Sequence, residues 1–149
     1  MRQRLHFHLA WTTLDRAPLT DARLARFLCG FPRAVAMDER ARVLQVGMVS
    51  THLHLLIAGH PATQWPRLVQ LLKGGSAAFA NRTPELQRAP PLRWQPGYTL
   101  ETVSPSLVER TRHYLRTRPT VRITPRPAPT ESLCRRPVTA FGKSGMMHR

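Results

Sequence analysis

The hydrophobic pattern of this chain switches between the two-residue period of strands and the 3.6-residue period of helices in a definite order. From the N-terminus the order is strand, helix, strand, strand, helix, strand, helix. The corresponding segments are 5–13, 19–31, 42–50, 52–59, 63–81, 92–104 and 104–118. The first six elements form a split βαβ arrangement, which predicts an α+β, ferredoxin-like (RRM-like) sandwich. We expect a four-stranded antiparallel sheet with helices on one face and an open second face.

The helix boundaries are predicted from residues that favour helix ends. Thr20 or Asp21 is expected to cap the first helix, and Gly30 and Pro32 to end it. Thr63 is predicted to cap the second helix. Ser104, followed by a proline, is predicted to cap the third.

The charge of the chain restricts its partners. Lys and Arg number 23 against 8 Asp and Glu, a net charge of +15 with a pI near 11.8. Such a field attracts polyanions, nucleic acid ahead of anionic membrane. There is no apolar run near the ~20 residues of a membrane span, and the N-terminus lacks a signal-peptide pattern. Two distant cysteines, Cys29 and Cys134, suggest neither a disulfide framework nor a zinc site. We therefore expect a cytoplasmic protein.

The composition divides the chain at residue 118. Residues 1–118 carry the periodic segments and are predicted to form one domain. Residues 119–149 hold five prolines and six Lys or Arg against one acid. This predicts a flexible basic tail that adds salt-sensitive, sequence-independent affinity for nucleic acid.

Two histidines of the segment "VSTHLHLLIAG" are candidate metal ligands. His52 and His54 are two residues apart in a predicted strand, so both project from the same face. Imidazole is a common ligand for divalent transition metals, and two on one face supply part of a coordination shell. Such a pair alone is more often ordinary packing. His6 and His8 repeat the spacing in the first strand, which shows how easily the pattern arises.

A tyrosine of the last helix is the candidate nucleophile. Tyr114 lies at the edge of the apolar face of "LVERTRHYLRTR", between Arg110 and Arg118 at i±4. From there its hydroxyl is able to reach the sheet, although a core-edge tyrosine with its hydroxyl in water is the commoner case. Tyr98, beside Pro96–Gly97, is a rival nucleophile that suits a turn better.

Taken together, these segments resemble the single-tyrosine HUH transposases, which include small insertion-sequence transposases and REP-associated tyrosine transposases. The resemblance covers roughly residues 5–118. It rests on the order and spacing of "HFHLAWTT", "VSTHLHLLI", "LVQLLKGGSAAFANR", "LRWQPGYTLETVS" and "VERTRHYLRTR".

The resemblance implies a mechanism and a set of site residues. It assigns His52 and His54 as ligands of Mg²⁺ or Mn²⁺, which polarises the scissile phosphate of single-stranded or hairpin DNA. It assigns Tyr114 as the nucleophile that forms a 5′-phosphotyrosine and frees a 3′-OH for rejoining. It also implies a prokaryotic, nucleoid-associated protein, and it leaves both a monomer and a homodimer with exchanged tyrosines open.

The chain departs from the family pattern at two positions. Thr51 stands where an Asp or Asn commonly precedes the first histidine, and Arg118 replaces the Gln that usually supplies a third metal ligand. A guanidinium cannot ligate a cation. Arg118 then holds the phosphate, another side chain completes the shell, or cleavage has been lost.

Five residues are predicted to contact DNA, each with a structural alternative: Lys73, Trp94, Arg112, Arg116 and Arg118. Lys73 is a phosphate contact or a solvated lysine, and Trp94 a base-stacking platform or a core aromatic. Arg112 and Arg116 are expected on the outer side of the last helix, where they track phosphates or are solvated.

Three functions follow, in order of preference. The first is a metal-dependent, transposase-like endonuclease and strand transferase. The second is a catalytically silent relative that binds hairpin DNA. The third is an RRM-like RNA-binding domain, although the central strands lack the interleaved aromatics of that module.

Overall fold

The protein is described here by a computed structural model covering residues 4–19, 21–87 and 90–117. Arg118, Thr20, Cys134 and the basic tail of residues 119–149 lie outside the described residues, as does the domain boundary predicted at 118. The described elements are β1 (Leu5–Thr12), α1 (Ala22–Asp38), β2 (Ala41–Val49), β3 (His52–Gly59), α2 (Trp65–Arg82), β4 (Thr99–Thr102) and α3 (Val108–Thr117). The predicted order of elements is confirmed.

The four strands form one sheet in the order β2-β3-β1-β4, and all three pairings are antiparallel. This is the predicted ferredoxin-like arrangement, in which β1 and β3 occupy the centre. Their ladder pairs Leu5 with Gly59 at one end and Thr12 with His52 at the other. The two central strands are therefore fixed along their whole length.

Helices α1 and α2 cover one face of the sheet and form the hydrophobic core with it. Strand residues at alternate positions point into this core, among them Leu9, Leu53 and Leu55, all fully buried. Phe27 of α1 stacks on Phe79 of α2 with ring centroids 5.2 Å apart. Each fully buried large side chain contributes about 1.5–3 kcal/mol, so this face provides most of the stability.

The second face of the sheet is partly covered, because α3 packs on β2 and β3. Leu56 of β3 and Leu115 of α3 are buried but do not belong to the main core cluster. Leu56 pairs with His8 of β1, and cross-strand partners project from the same face. The predicted open platform is thus a surface partly covered by the tyrosine-bearing helix.

The prediction that Pro32 ends the first helix is wrong, since α1 continues to Asp38. A proline inside a helix removes one backbone hydrogen bond, at a cost of about 3 kcal/mol. Val35 and Ala36, beyond the proline, are buried in the core. Their burial extends the packed face by another turn and outweighs the local preference.

The predicted helix caps have mixed outcomes. The Asp21 cap is confirmed, because its carboxylate accepts a hydrogen bond of 2.8 Å from the Arg23 backbone N–H. The Thr63 cap is wrong: the N-cap residue is Gln64, while the Thr63 hydroxyl accepts from the His60 N–H and donates to the Arg40 carbonyl.

The last strand and the start of the last helix are shorter than predicted. Strand β4 is limited to Thr99–Thr102, after Gly97 with a φ of +90°. Ser104 precedes a 3-10 turn over Pro105–Leu107 and makes no side-chain cap hydrogen bond. Helix α3 begins only at Val108.

Candidate active site on the second sheet face

The structure places His52 and His54 together on the second face of the sheet, as their spacing predicts. Their ring centroids are 6.0 Å apart and the ring planes differ by 22°. Leu53, between them, is fully buried in the opposite direction. The alternation of β3 therefore presents both imidazoles to the same space.

A third histidine, His8 of β1, joins this pair. Its Nε2 lies 3.0 Å from Nδ1 of His54, a hydrogen bond between side chains 46 residues apart in the sequence. The two rings are nearly parallel, with centroids 5.2 Å apart. The pair His6 and His8 looks coincidental in the sequence. One of the two, His8, nevertheless belongs to the site.

The hydrogen bonds engage the same nitrogen, Nδ1, in both candidate ligand rings. Nδ1 of His52 is 2.7 Å from the Thr51 hydroxyl, and Nδ1 of His54 is bonded to His8. A histidine that ligates a metal is generally held through its other ring nitrogen. In both rings the Nε2 atom is therefore the one suited to a metal. The resemblance leads one to expect Asp or Asn at position 51. Thr51 supplies the hydrogen bond to Nδ1 of His52 in its place.

The donor set is compatible with a divalent metal but incomplete by itself. Within residues 4–19, 21–87 and 90–117, no cluster of three or more His, Cys, Asp or Glu side chains could hold a metal ion. His52 and His54 offer two imidazole nitrogens, which suit Mn²⁺ better than the oxygen-preferring Mg²⁺. Among the described residues, the remaining positions of the shell are left to water or substrate oxygens.

Tyr114 faces a cavity on the same side of the sheet. The cavity has a volume of about 360 Å³, and its lining consists of His8, Leu107, Arg110, Thr111 and Tyr114. The Tyr114 side chain is 49% exposed, so a substrate is able to approach it. Tyr114 and His8, the residue hydrogen-bonded to His54, thus line the same cavity within a single chain.

The position of α3 depends on a close contact with Gly47. Gly47 pairs with His54 in the β2–β3 ladder and so lies beside it on the second face. A Cβ atom added at Gly47 would be 3.1 Å from Leu115 Cδ2 and 3.2 Å from the Leu115 carbonyl oxygen. Only glycine lets the helix approach this closely, and Tyr114 is the residue next to Leu115.

The prediction that Arg112 and Arg116 share the outer side of α3 is wrong. Both are only partly exposed, and their Nε atoms are buried. Arg112 also lies 3.8 Å from the Glu109 carboxylate. Leu115 is the single buried large apolar residue of α3, and the aliphatic stems of arginines beside such a residue are able to shield it from water. Their contact with DNA stays a prediction.

Lys73 contacts the backbone that precedes β4. Its ammonium donates to the carbonyl oxygens of Gln95 at 2.8 Å and Gly97 at 2.7 Å. Partial burial lowers its pKa below the usual range for a lysine. These contacts give Lys73 a structural role, while a phosphate contact stays untested.

We expect Lys73→Met to lower the free energy of unfolding by about 1–3 kcal/mol, because two exposed hydrogen bonds, each worth about 0.5–1.5 kcal/mol, are lost. Urea denaturation measures the change. Arg26→Met, on an exposed position of α1, is the control and should stay within about 0.5 kcal/mol. Unchanged stability with weaker DNA binding would instead favour a phosphate contact.

Trp94 is packed at the edge of the core. Its indole N–H donates to the Ser76 hydroxyl at 2.9 Å, and its ring meets Trp11 edge to face at 5.8 Å. These contacts are the ones expected of a core aromatic, the structural alternative to base stacking.

Sequence reasoning did not select two residues of the site, His8 and Arg110. Arg110 was noted only as a neighbour of Tyr114, although it lines the same cavity. The helical i, i+4 spacing of this pair is visible in the sequence. The contact of His8 with His54 is not, because it depends on how β1 and β3 are paired.

Comparison with known proteins agrees with this architecture. A curated relative, the ISDra2 transposase TnpA of Deinococcus radiodurans, is 27% identical over 116 residues, which is 74% of this chain and 81% of the relative. A crystal structure from Deinococcus radiodurans R1, provisionally assigned as a transposase, is 26% identical with a TM-score of 0.60. It covers 76% of this chain and 90% of the solved chain. None of the helices described is both long and apolar enough to cross a membrane.

A sequence model of the IS200-like transposases matches residues 1–118, the whole segment that carries the sheet, the histidines and the tyrosine helix. The chain therefore belongs to the IS200-like transposase family.

Proposed function

We propose that the protein is an endonuclease and strand transferase for single-stranded or hairpin DNA, acting through a covalent ester on Tyr114. One observation carries the proposal: Tyr114 and His8 line one cavity, and His8 is hydrogen-bonded to His54. A nucleophile and a set of imidazoles thus share one sheet face. The family and the net charge of +15 support DNA as the partner.

In the proposed reaction the Tyr114 oxygen attacks the scissile phosphorus. The P–O3′ bond breaks, the phenol loses its proton to solvent, and the freed 3′ oxygen takes up a proton. The product is a 5′-phosphotyrosine, and a 3′-OH that later attacks it restores a phosphodiester and the phenol. The number of phosphate ester bonds is conserved, so rejoining needs no external energy source.

Positively charged groups near Tyr114 would compensate the negative charge of the phosphate. A phenol of pKa ~10 is a weak nucleophile at neutral pH, and the phosphodiester is anionic. Arg110 lines the cavity and supplies a permanent cation with a planar donor set that matches phosphate oxygens. Nε2 of His52 and of His54 would hold Mg²⁺ or Mn²⁺, whose chemistry is to neutralise charge on the phosphate.

We propose that the site is assembled within one chain. Helix α3 packs on the sheet of its own chain through Leu115 and Gly47, and Tyr114 lines a cavity together with His8 of the same chain. A homodimer is compatible with this arrangement but is not needed to complete it. A location in the prokaryotic cytoplasm, at the nucleoid, follows from the proposed substrate.

Incubation with a labelled hairpin oligonucleotide and Mn²⁺ tests the proposal. We expect a protein–DNA band that resists SDS and does not form when a chelator is added before the DNA. Binding without this band across metals and substrates would reject cleavage and favour a silent hairpin-binding relative, the alternative that Arg118 suggests. A preference for the matched RNA oligonucleotide would favour the RRM-like alternative.

Replacing His52 or His54 by Ala should lower the rate of adduct formation by about 10²–10³-fold each, the usual effect of losing one electrostatic stabiliser of a transition state. A gel time course measures the rate. His6→Ala is a matched control on the same sheet face and should leave the rate within about threefold. Equal effects at all three positions would contradict the assignment.

A further inference from the structure

We propose that His8 is a positioning residue, which fixes the tautomer and orientation of His54 and thereby directs His54 Nε2 towards the substrate. The inference rests on the proposed function, because it gives His54 its role as a ligand. His8 belongs to β1, outside the histidine motif of β3, and its contact with His54 follows from the pairing of the two strands.

The geometry of the sheet makes the contact rigid. In the β1–β3 ladder His8 pairs with Leu56, and His54 pairs with Ala10, so the two histidines are diagonal neighbours on one face. Diagonal neighbours are about 7–8 Å apart at their backbones, within reach of long side chains. Both residues are on central strands, and Leu56 is fully buried beside them. The 3.0 Å contact is thus held by the backbone of the sheet.

The hydrogen bond allows one proton between the two facing nitrogens. If His54 ligates through Nε2, its own proton is on Nδ1, and His8 Nε2 must accept it. His8 then carries its proton on Nδ1. Glu101 of β4 is the direct cross-strand partner of His8 on the same face, on the side of β1 away from His54.

The other candidate ligand is held in the same way. Nδ1 of His52 is bonded to the Thr51 hydroxyl at 2.7 Å. Two unrelated partners, a hydroxyl from the adjacent loop and an imidazole from β1, therefore engage the same atom of each ring. Because the same atom, Nδ1, is engaged in both rings, both histidines would ligate a metal through the same atom, Nε2. This agreement supports a positioning role for the His8 contact.

The first test observes the tautomer of His54 directly. Long-range ¹H–¹⁵N correlation spectra of the metal-free full-length protein should show His54 protonated at Nδ1. In His8→Ala the proton should shift towards Nε2. A wild-type His54 protonated at Nε2 would overturn the proposal, and this result needs no variant to fold.

The second test measures Mn²⁺ affinity by calorimetry on the full-length protein. His8→Ala should weaken binding about 10–100-fold, the usual effect of removing a group that orients a ligand. His8→Gln, whose amide oxygen takes the place of Nε2, should recover most of the loss, and His6→Ala should bind as the wild type does. A loss as complete as that of His54→Ala would make His8 a ligand and overturn the positioning role, as would no loss at all.

The two proposals fail in different ways. If the wild type forms no covalent adduct while the His54 tautomer still depends on His8, the proposed function is wrong and the positioning role stands. If adduct forms and neither the tautomer nor the Mn²⁺ affinity responds to His8→Ala, only the positioning role is wrong.

Discussion

Tyr114→Phe is expected to abolish the covalent protein–DNA adduct, a loss of at least about 10³-fold, because it removes the only atom proposed to bond to phosphorus. The phenyl ring keeps the shape of the side chain, and Tyr114 is 49% exposed, so the fold should be unaffected. The measurement is adduct formed with a labelled hairpin oligonucleotide and Mn²⁺, resolved on a denaturing gel.

Tyr98 provides the matched control, since the chain has only two tyrosines. Tyr98 is similarly exposed, at 45%, but lies before β4 and outside the lining of the Tyr114 cavity. Tyr98→Phe should therefore form adduct at the wild-type rate. If instead Tyr98→Phe loses the adduct and Tyr114→Phe keeps it, the nucleophile has been assigned to the wrong residue.

Gly47→Val is expected to lower adduct formation by about 10²-fold, although Gly47 takes no part in the chemistry. A Cβ there would press on the side chain and the backbone oxygen of Leu115 at 3.1–3.2 Å, so α3 must move away. A displacement of about 1 Å in a reacting group costs about 10²-fold in rate. Because valine favours strand structure, β2 should still form, and the effect should be limited to the packing of α3 on the sheet.

Gly74→Ala is the control for Gly47→Val, because a Cβ at Gly74 meets nothing within 4 Å. It should keep wild-type activity and raise stability by about 0.5–1 kcal/mol, the helix preference of alanine over glycine. DNA binding by Gly47→Val should stay close to wild type. Wild-type adduct formation in a folded Gly47→Val protein would show that the observed packing of α3 is not the active arrangement.

Local patterns predicted the elements and the core well. The bounds of β3 were predicted correctly because "HLHLLIAG" is apolar apart from its two histidines and is followed by a turn. The Asp21 cap was predicted because its hydrogen bond to the Arg23 N–H is only two residues away. Interactions between residues that are close in the sequence depend only on local residue types, so they can be predicted without knowing the fold.

The errors occur where distant residues determine the outcome. Pro32 failed to end α1 because the core buries Val35 and Ala36 beyond it. Arg112 and Arg116 are only partly exposed, with buried Nε atoms, because α3 is packed on β2 and β3. In each case packing against another element outweighed the preference of the local sequence.

The sequence by itself determined that His52 and His54 share a face, since a strand alternates with a period of two, and that Tyr114 lies at the edge of a helical face. Only the tertiary structure decided that His8 is bonded to His54 and that the Tyr114 cavity includes His8. Those contacts depend on the pairing of β1 with β3 and on the fit of Leu115 against Gly47. The physical reason is that periodicity fixes directions within one element, whereas strand register and helix docking fix the distances between elements.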